Sequence, residues 1–218
     1  MKNIIVLGDS FCSSADQWPT MLANAVSRNL VCYTNGSGQS WWDARNWLTQ
    51  LDANILDNTD IMVFVHTNSD RIPSSNRSLG LVDHSATPVT EIEQSISLYY
   101  KYIHDPKFLN WAQQQWFKEI AQMYAANRVV HLHSFPWSVH LLEFGVNVVT
   151  PLAALSLNEL GKTNFDLFND TRANHFNAAN NQALATELSH LINNYCPGSA
   201  VLDHNKFEQR VLQWLDWK

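Results

Sequence analysis

The stretch NIIVLGDSFC, residues 3–12, decides how the rest of the chain is read. Its first half is a continuous apolar, β-branched run closed by Gly8, the pattern of a strand covered on both faces in a parallel sheet. Its second half, Gly8-Asp9-Ser10, sets a hydroxyl just past the end of that strand, where open α/β sheets bind ligands. Two readings of Ser10 follow. It is a nucleophile at the mouth of a sheet, or, with Asp9, a turn and cap residue leading into a helix. The apolar run is broken by Gly-Asp-Ser before a signal-peptide core or a membrane span could form, so it is read as the first strand of the mature fold.

Working outward, Trp18, Met21, Leu22, Ala25 and Val26 recur at three- and four-residue steps and predict a helix over about residues 15–28. LVCYT (30–34) reads as a second strand, stopped by the turn-forming Asn35-Gly-Ser-Gly38. A helix is expected over about residues 40–56, then a third strand in DIMVFVHT, residues 60–67. The polar, turn-rich segment 71–88 reads as a long loop of the kind that is often functional. Two helices follow, one opened by the capping box Thr90-x-x-Glu93 and one by Pro106. RVVHLHSF (128–135) is a fourth strand, VNVVT (146–150) a shorter fifth, and residues 177–195 a final helix that Asn177 or Asn180 could cap. In the tail, Phe207, Val211, Trp214 and Leu215 form one helical stripe over about residues 206–217, expected to dock on the core, with a partner-binding helix as the alternative. The alternation of strand and helix predicts one α/β domain over residues 1–218, with a mostly parallel sheet of about five strands.

Composition narrows the function. Hydrophobic residues make up 45% and charged residues 16%, a globular balance. A net charge of −6 without a Lys/Arg cluster lacks the footprint needed for phosphate backbones, so nucleic acid is not an expected partner, and neither is a membrane. Cys12, Cys32 and Cys196 are odd in number and widely spaced, which argues against a disulfide framework or a paired-Cys zinc site and suits a reducing compartment such as the cytoplasm.

If Ser10 is a nucleophile, it needs a base, a group to orient the base, and donors for an oxyanion. His175 lies just ahead of the final helix with Asp170 upstream in the same loop; Gly38 follows the second strand and Asn68 the third. This order, Ser10 in GDS, Gly38 in GSGQS, Asn68 in HTNSD and His175 in NHFN, resembles the SGNH or GDSL hydrolase family and spans most of the chain. The resemblance implies a three-layer α/β/α sandwich with a flavodoxin-like sheet. It also implies Ser10 as nucleophile, the Ser10 and Gly38 N–H groups with the Asn68 side chain as oxyanion donors, and His175 as base. The chain differs from the family pattern in having His66 two residues before Asn68, where glycine is common, and Arg172 three residues before His175, where aspartate is usual. Asp170, five residues before His175, is the residue left to orient it, and this longer spacing is similar to phage-borne members of the family, for which a virion-associated location is the alternative to the cytoplasm.

The expected activity is therefore serine-dependent ester hydrolysis, which needs no cofactor. The expected substrate is a small polar molecule or glycan carrying a small acyl group such as acetate. Trp41 and Trp42, directly after the glycine loop in a chain with nine tryptophans, could stack on a sugar ring, and His66 could touch substrate or be a histidine satisfied within the fold. A lipase or thioesterase would use the same residues. A carbohydrate-binding module that keeps the fold without turnover is the alternative from a different class. His131 and His133 share one strand face, but no Asp, Glu or Cys with ligand spacing follows, so no metal site is expected. GSGQSW has Trp41 where a dinucleotide fingerprint needs its third glycine.

Overall fold

The computed structural model describes residues 2–12, 17–34, 41–50, 57, 59–67, 69, 71, 90–135, 142–155 and 176–208. In chain order these form β1 (Asn3–Gly8), α1 (Trp18–Ala25), β2 (Asn29–Thr34), α2 (Trp41–Gln50), β3 (Ile61–His66), α3 (Glu91–Tyr102), α4 (Pro106–Met123), β4 (Arg128–His133), β5 (Val146–Val148), α5 (Ala178–Asn193) and β6 (Gly198–Ala200). All strand pairs are parallel, and the sheet runs β2-β1-β3-β4-β5-β6. The chain leaves β1 for β2 on one side, returns across it to β3, and adds every later strand on that second side. The reversal between β1 and β3 is the position at which open α/β sheets form a crevice.

The sheet has six strands rather than about five. β6 is Gly-Ser-Ala, without one β-branched or aromatic side chain, and only its register with Val146, Asn147 and Val148 makes it a strand.

Strand alternation sorts the apolar side chains onto two faces. Ile4, Val6, Ile61, Val63, Val65, Val130 and Leu132 pack with Trp18 and Leu22 of α1 and with Leu184, Leu188 and Ile192 of α5. Ile5, Leu7, Met62, Phe64 and Val129 pack with Leu48 of α2 and with Trp116, Phe117 and Ile120 of α4. Two helical layers thus cover a central sheet, and each fully buried aliphatic or aromatic side chain contributes about 1.5–3 kcal/mol. Among the described residues no helix is long and apolar enough to cross a membrane.

Helix starts follow their local chemistry. Thr90 Oγ1 accepts from Glu93 N at 3.2 Å while Glu93 Oε2 accepts from Thr90 N at 2.8 Å, the reciprocal box anticipated at α3. Asp105 Oδ1 caps α4 by accepting from Lys107 N and Phe108 N at 2.9 and 3.2 Å, with Pro106 in the first turn, where no N–H is needed. For α5 the cap is Asn177, whose Oδ1 accepts from Asn180 N at 2.8 Å. Asn180 is fully buried and holds the end of the described chain: its Oδ1 accepts from Glu208 N at 2.8 Å, and its Nδ2 donates to Leu155 O at 2.9 Å and Glu208 O at 3.2 Å. Phe207 joins the core in extended conformation after a single 3-10 turn, His204–Lys206; the rest of the expected tail helix, with Val211, Trp214 and Leu215, lies outside the described residues.

At the N-terminal edge of the sheet the polar groups are well partnered. Asp60, 1% exposed, accepts from Asn3 N at 2.7 Å and Asp57 N at 3.0 Å. Asn127 Nδ2 donates to Asp57 O and Asp60 O at 2.9 and 3.0 Å.

Candidate active site

Ser10 opens a one-turn 3-10 helix, Ser10–Cys12, directly beyond β1. The glycine before it is a packing requirement, because a Cβ on Gly8 would lie 2.5 Å from Val65 Cβ and 2.8 Å from Cys12 Sγ. Asp9 is 1% exposed and organises the turn. Its Oδ1 accepts from Phe11 N at 3.1 Å, and its Oδ2 accepts from the Ser134 hydroxyl at 2.6 Å. Its backbone carbonyl accepts from Cys12 N at 3.1 Å. Ser134 follows β4, and its own N–H donates to His66 O at 2.9 Å. The nucleophile candidate therefore stands on a carboxyl group clamped from two strand ends.

A second set of contacts joins this turn to the start of α5. Trp18 Nε1 donates to Phe11 O at 2.8 Å, and Trp18 N donates to Asn181 Oδ1 at 3.1 Å. Asn181 Nδ2 in turn donates to Asn177 O at 3.0 Å. The Phe11 ring meets Phe176 edge-on at 5.6 Å and Phe135 at 6.0 Å. Phe11 is the residue after Ser10, and Phe176 the residue after His175. Two segments far apart in sequence are locked together one position beyond each of the two candidate groups.

Of the residues nominated from sequence, Ser10, Trp42 and His66 are described. Gly38, Asn68, Asp170 and His175 lie outside the described residues, and so does the side chain of Trp41, whose backbone begins α2. The described neighbours of these positions share one edge of the sheet with Ser10. Thr34, ahead of Gly38, is in register with Gly8, and Thr67, ahead of Asn68, continues β3 beside β1. Trp42 is 39% exposed, with the Arg45 guanidinium 5.4 Å from its ring centroid. Arg45 is held in turn by two bonds to Glu119 of α4, at 2.8 and 3.1 Å.

His66 is buried rather than open to solvent. Register sets Phe64 opposite His131 and His66 opposite His133, so three imidazoles share the α2/α4 face. His66 Nε2 lies 2.9 Å from His131 Nδ1, and the His66 ring is 5.3 Å from that of His133. Phe117 packs edge-on against His66 and Phe144 edge-on against His131. Burial, reinforced by repulsion from His133, lowers the His131 pKa to about 3, so this ring stays neutral. Gly145 seals the far side in a left-handed conformation, φ +74, where a Cβ would come 2.6 Å from Val129 O. Among the described residues no group of three or more His, Cys, Asp or Glu side chains is placed to hold a metal ion.

Sequence reasoning missed Asp9 and Ser134 as structural partners and Gln113 altogether. Asp9 reads as an ordinary turn residue until its burial is known, although Ser134, first after a strand in HLHSF, shares the strand-end signal used for Ser10 and Asn68. Gln113, 1% exposed, donates from Nε2 to Thr67 O at 3.3 Å. Its Oε1 and the Thr67 hydroxyl are buried without hydrogen-bond partners, in contrast to the partnered Asp60 at the opposite edge. Polar groups buried in this state are uncommon and concentrate where a fold does chemistry or holds water. No family model, curated protein or solved structure matches the chain.

Proposed function

We propose that the chain is a serine-dependent ester hydrolase of the SGNH type, with Ser10 as nucleophile. The observation that carries this reading is the junction of Phe11 with Phe176, at the strand-order reversal where Ser10 stands. It draws the chain positions next to the proposed nucleophile and the proposed base into one packed unit. In the proposed reaction His175 takes the Ser10 proton as Oγ attacks the ester carbonyl, and the carbonyl π electrons move onto oxygen. The Ser10 and Gly38 N–H groups and the Asn68 amide receive that negative charge, and Asp170 orients the imidazole. Collapse expels the alcohol, which takes the proton from His175. Water, deprotonated by the same base, then releases the acid and restores Ser10.

The proposed substrate is a small acyl ester, such as an acetyl group on a carbohydrate. The half-exposed Trp42, stiffened by Arg45 and Glu119, supports a ring-bearing alcohol, because a fixed indole face suits stacking on a sugar. The test is covalent labelling with a fluorophosphonate followed by peptide mapping, together with hydrolysis of p-nitrophenyl acetate. The expected result is an adduct on Ser10, with both labelling and hydrolysis lost in Ser10→Ala while its circular dichroism is retained. An adduct elsewhere, or undiminished hydrolysis in that variant, overturns the assignment and leaves the non-catalytic binding module as the reading to pursue.

A further inference from the structure

Cys12 and Cys32 lie far apart in sequence, yet the fold brings them together beside the Ser10 turn. Cys32 is on β2, in register with Val6, so its side chain points to the face of the sheet covered by α1 and α5. Cys12 ends the 3-10 turn and folds back over Gly8 toward the same face, which is why a Cβ at Gly8 would meet its sulfur. Cys32 Sγ lies 3.6 Å from Cys12 O, and Cys12 Sγ lies 3.2 Å from Asp9 O. The two thiols differ in access, Cys32 being exposed and Cys12 buried. The neighbouring Cys12 side chain lowers the Cys32 pKa, and partial burial only partly offsets this, so the thiolate form that reacts is favoured. An accessible sulfur of this character next to a second, shielded one is the arrangement of an oxidisable cysteine with a resolving partner.

We propose that Cys32 and Cys12 form a reversible dithiol–disulfide pair, oxidised by peroxide, that ties the Ser10 turn to β2. The Cys32 thiolate attacks a peroxide oxygen; the S–O bond forms, the O–O bond breaks, and hydroxide leaves with a sulfenic acid on Cys32. The Cys12 sulfur then attacks Cys32 Sγ, and the S–S bond forms as the S–O bond breaks. The departing hydroxide takes up the Cys12 proton as water. In sum, two thiols and one hydrogen peroxide give a disulfide and two waters, with both sulfurs oxidised and the peroxide reduced.

The wild-type protein, reduced and freed of reductant, is exposed to hydrogen peroxide at low protein concentration; remaining thiols are alkylated in denaturant and the digest is mapped. The expected result is a Cys12–Cys32 linked peptide, with most of both cysteines gone from the alkylated pool and recovered by dithiothreitol. In Cys32→Ser, Cys12 stays alkylatable after the same treatment, since its burial shields it from peroxide. Recovery of Cys12 as alkylated thiol from the wild-type protein overturns the proposal, whether Cys32 is found as sulfinic acid, joined to Cys196 of another molecule, or unreacted. None of these readouts depends on esterase activity.

Discussion

A buried carboxyl group keeps its place only if its oxygens are met by donors, and Asp9 shows how one residue can organise a turn in this way. Ser134→Ala removes the 2.6 Å donor to Oδ2 without opening a large cavity, and the expected cost is about 1–3 kcal/mol. It is checked by a lower urea midpoint at unchanged slope, and Ser134→Thr, which keeps the hydroxyl, should recover most of the loss. The same variant should slow fluorophosphonate labelling of the proposed nucleophile, because the turn that aims Ser10 loses a clamp. This part of the site was only half legible in the sequence. The strand-then-GDS pattern located Ser10, because local backbone chemistry marks a strand end. Asp9 was indistinguishable from a surface turn residue, since its partner lies 125 positions away.

At the scale of elements, helix caps and the long strands were readable because their causes are local: Thr90 and Glu93 sit three apart, and β1 and β3 are uninterrupted apolar runs. Pairing across elements was not readable. HLH announced two histidines on one face of β4, but His131 shares its hydrogen bond with His66 on β3, and only inter-strand register brings those rings together. β6 escaped notice for the same reason, being a strand by pairing and not by composition. Where α4 ends, Tyr124 is 4% exposed, its hydroxyl is buried without a hydrogen-bond partner, and burial pushes its pKa up to about 12. Tyr124→Phe keeps the ring packed against Phe64 and deletes the unsatisfied group. The expected result is a protein as stable as wild type or more stable by about 1 kcal/mol, read from urea denaturation. A marked loss of stability would mean that the hydroxyl is hydrogen-bonded after all.

For the molecule as a whole, the neutral imidazole in its centre sets a pH limit. The folded-state pKa of His131 lies near 3, below the ordinary value of 6.5 in an unfolded chain. Between those values the unfolded state binds a proton that the folded state refuses, so stability is full above 6.5 and falls as pH drops toward 3, by at most about 1.4 kcal/mol per pH unit. His131→Asn, whose amide can still meet His66 Nε2, should be less stable than wild type at pH 7 yet lose less on going to pH 5. Urea midpoints at the two values check this; equal losses in both proteins would remove His131 as the cause. Strand order carries a different consequence, for assembly during synthesis. Apart from β3, which returns to β1 instead of β2, every strand is laid against the rim left by its predecessor, so an emerging polypeptide extends a template that already exists. The segment that packs on Phe11, Phe176 with α5, is made only after the first five strands. The packing around the Ser10 turn is thus finished late, after the scaffold beneath it has had time to set.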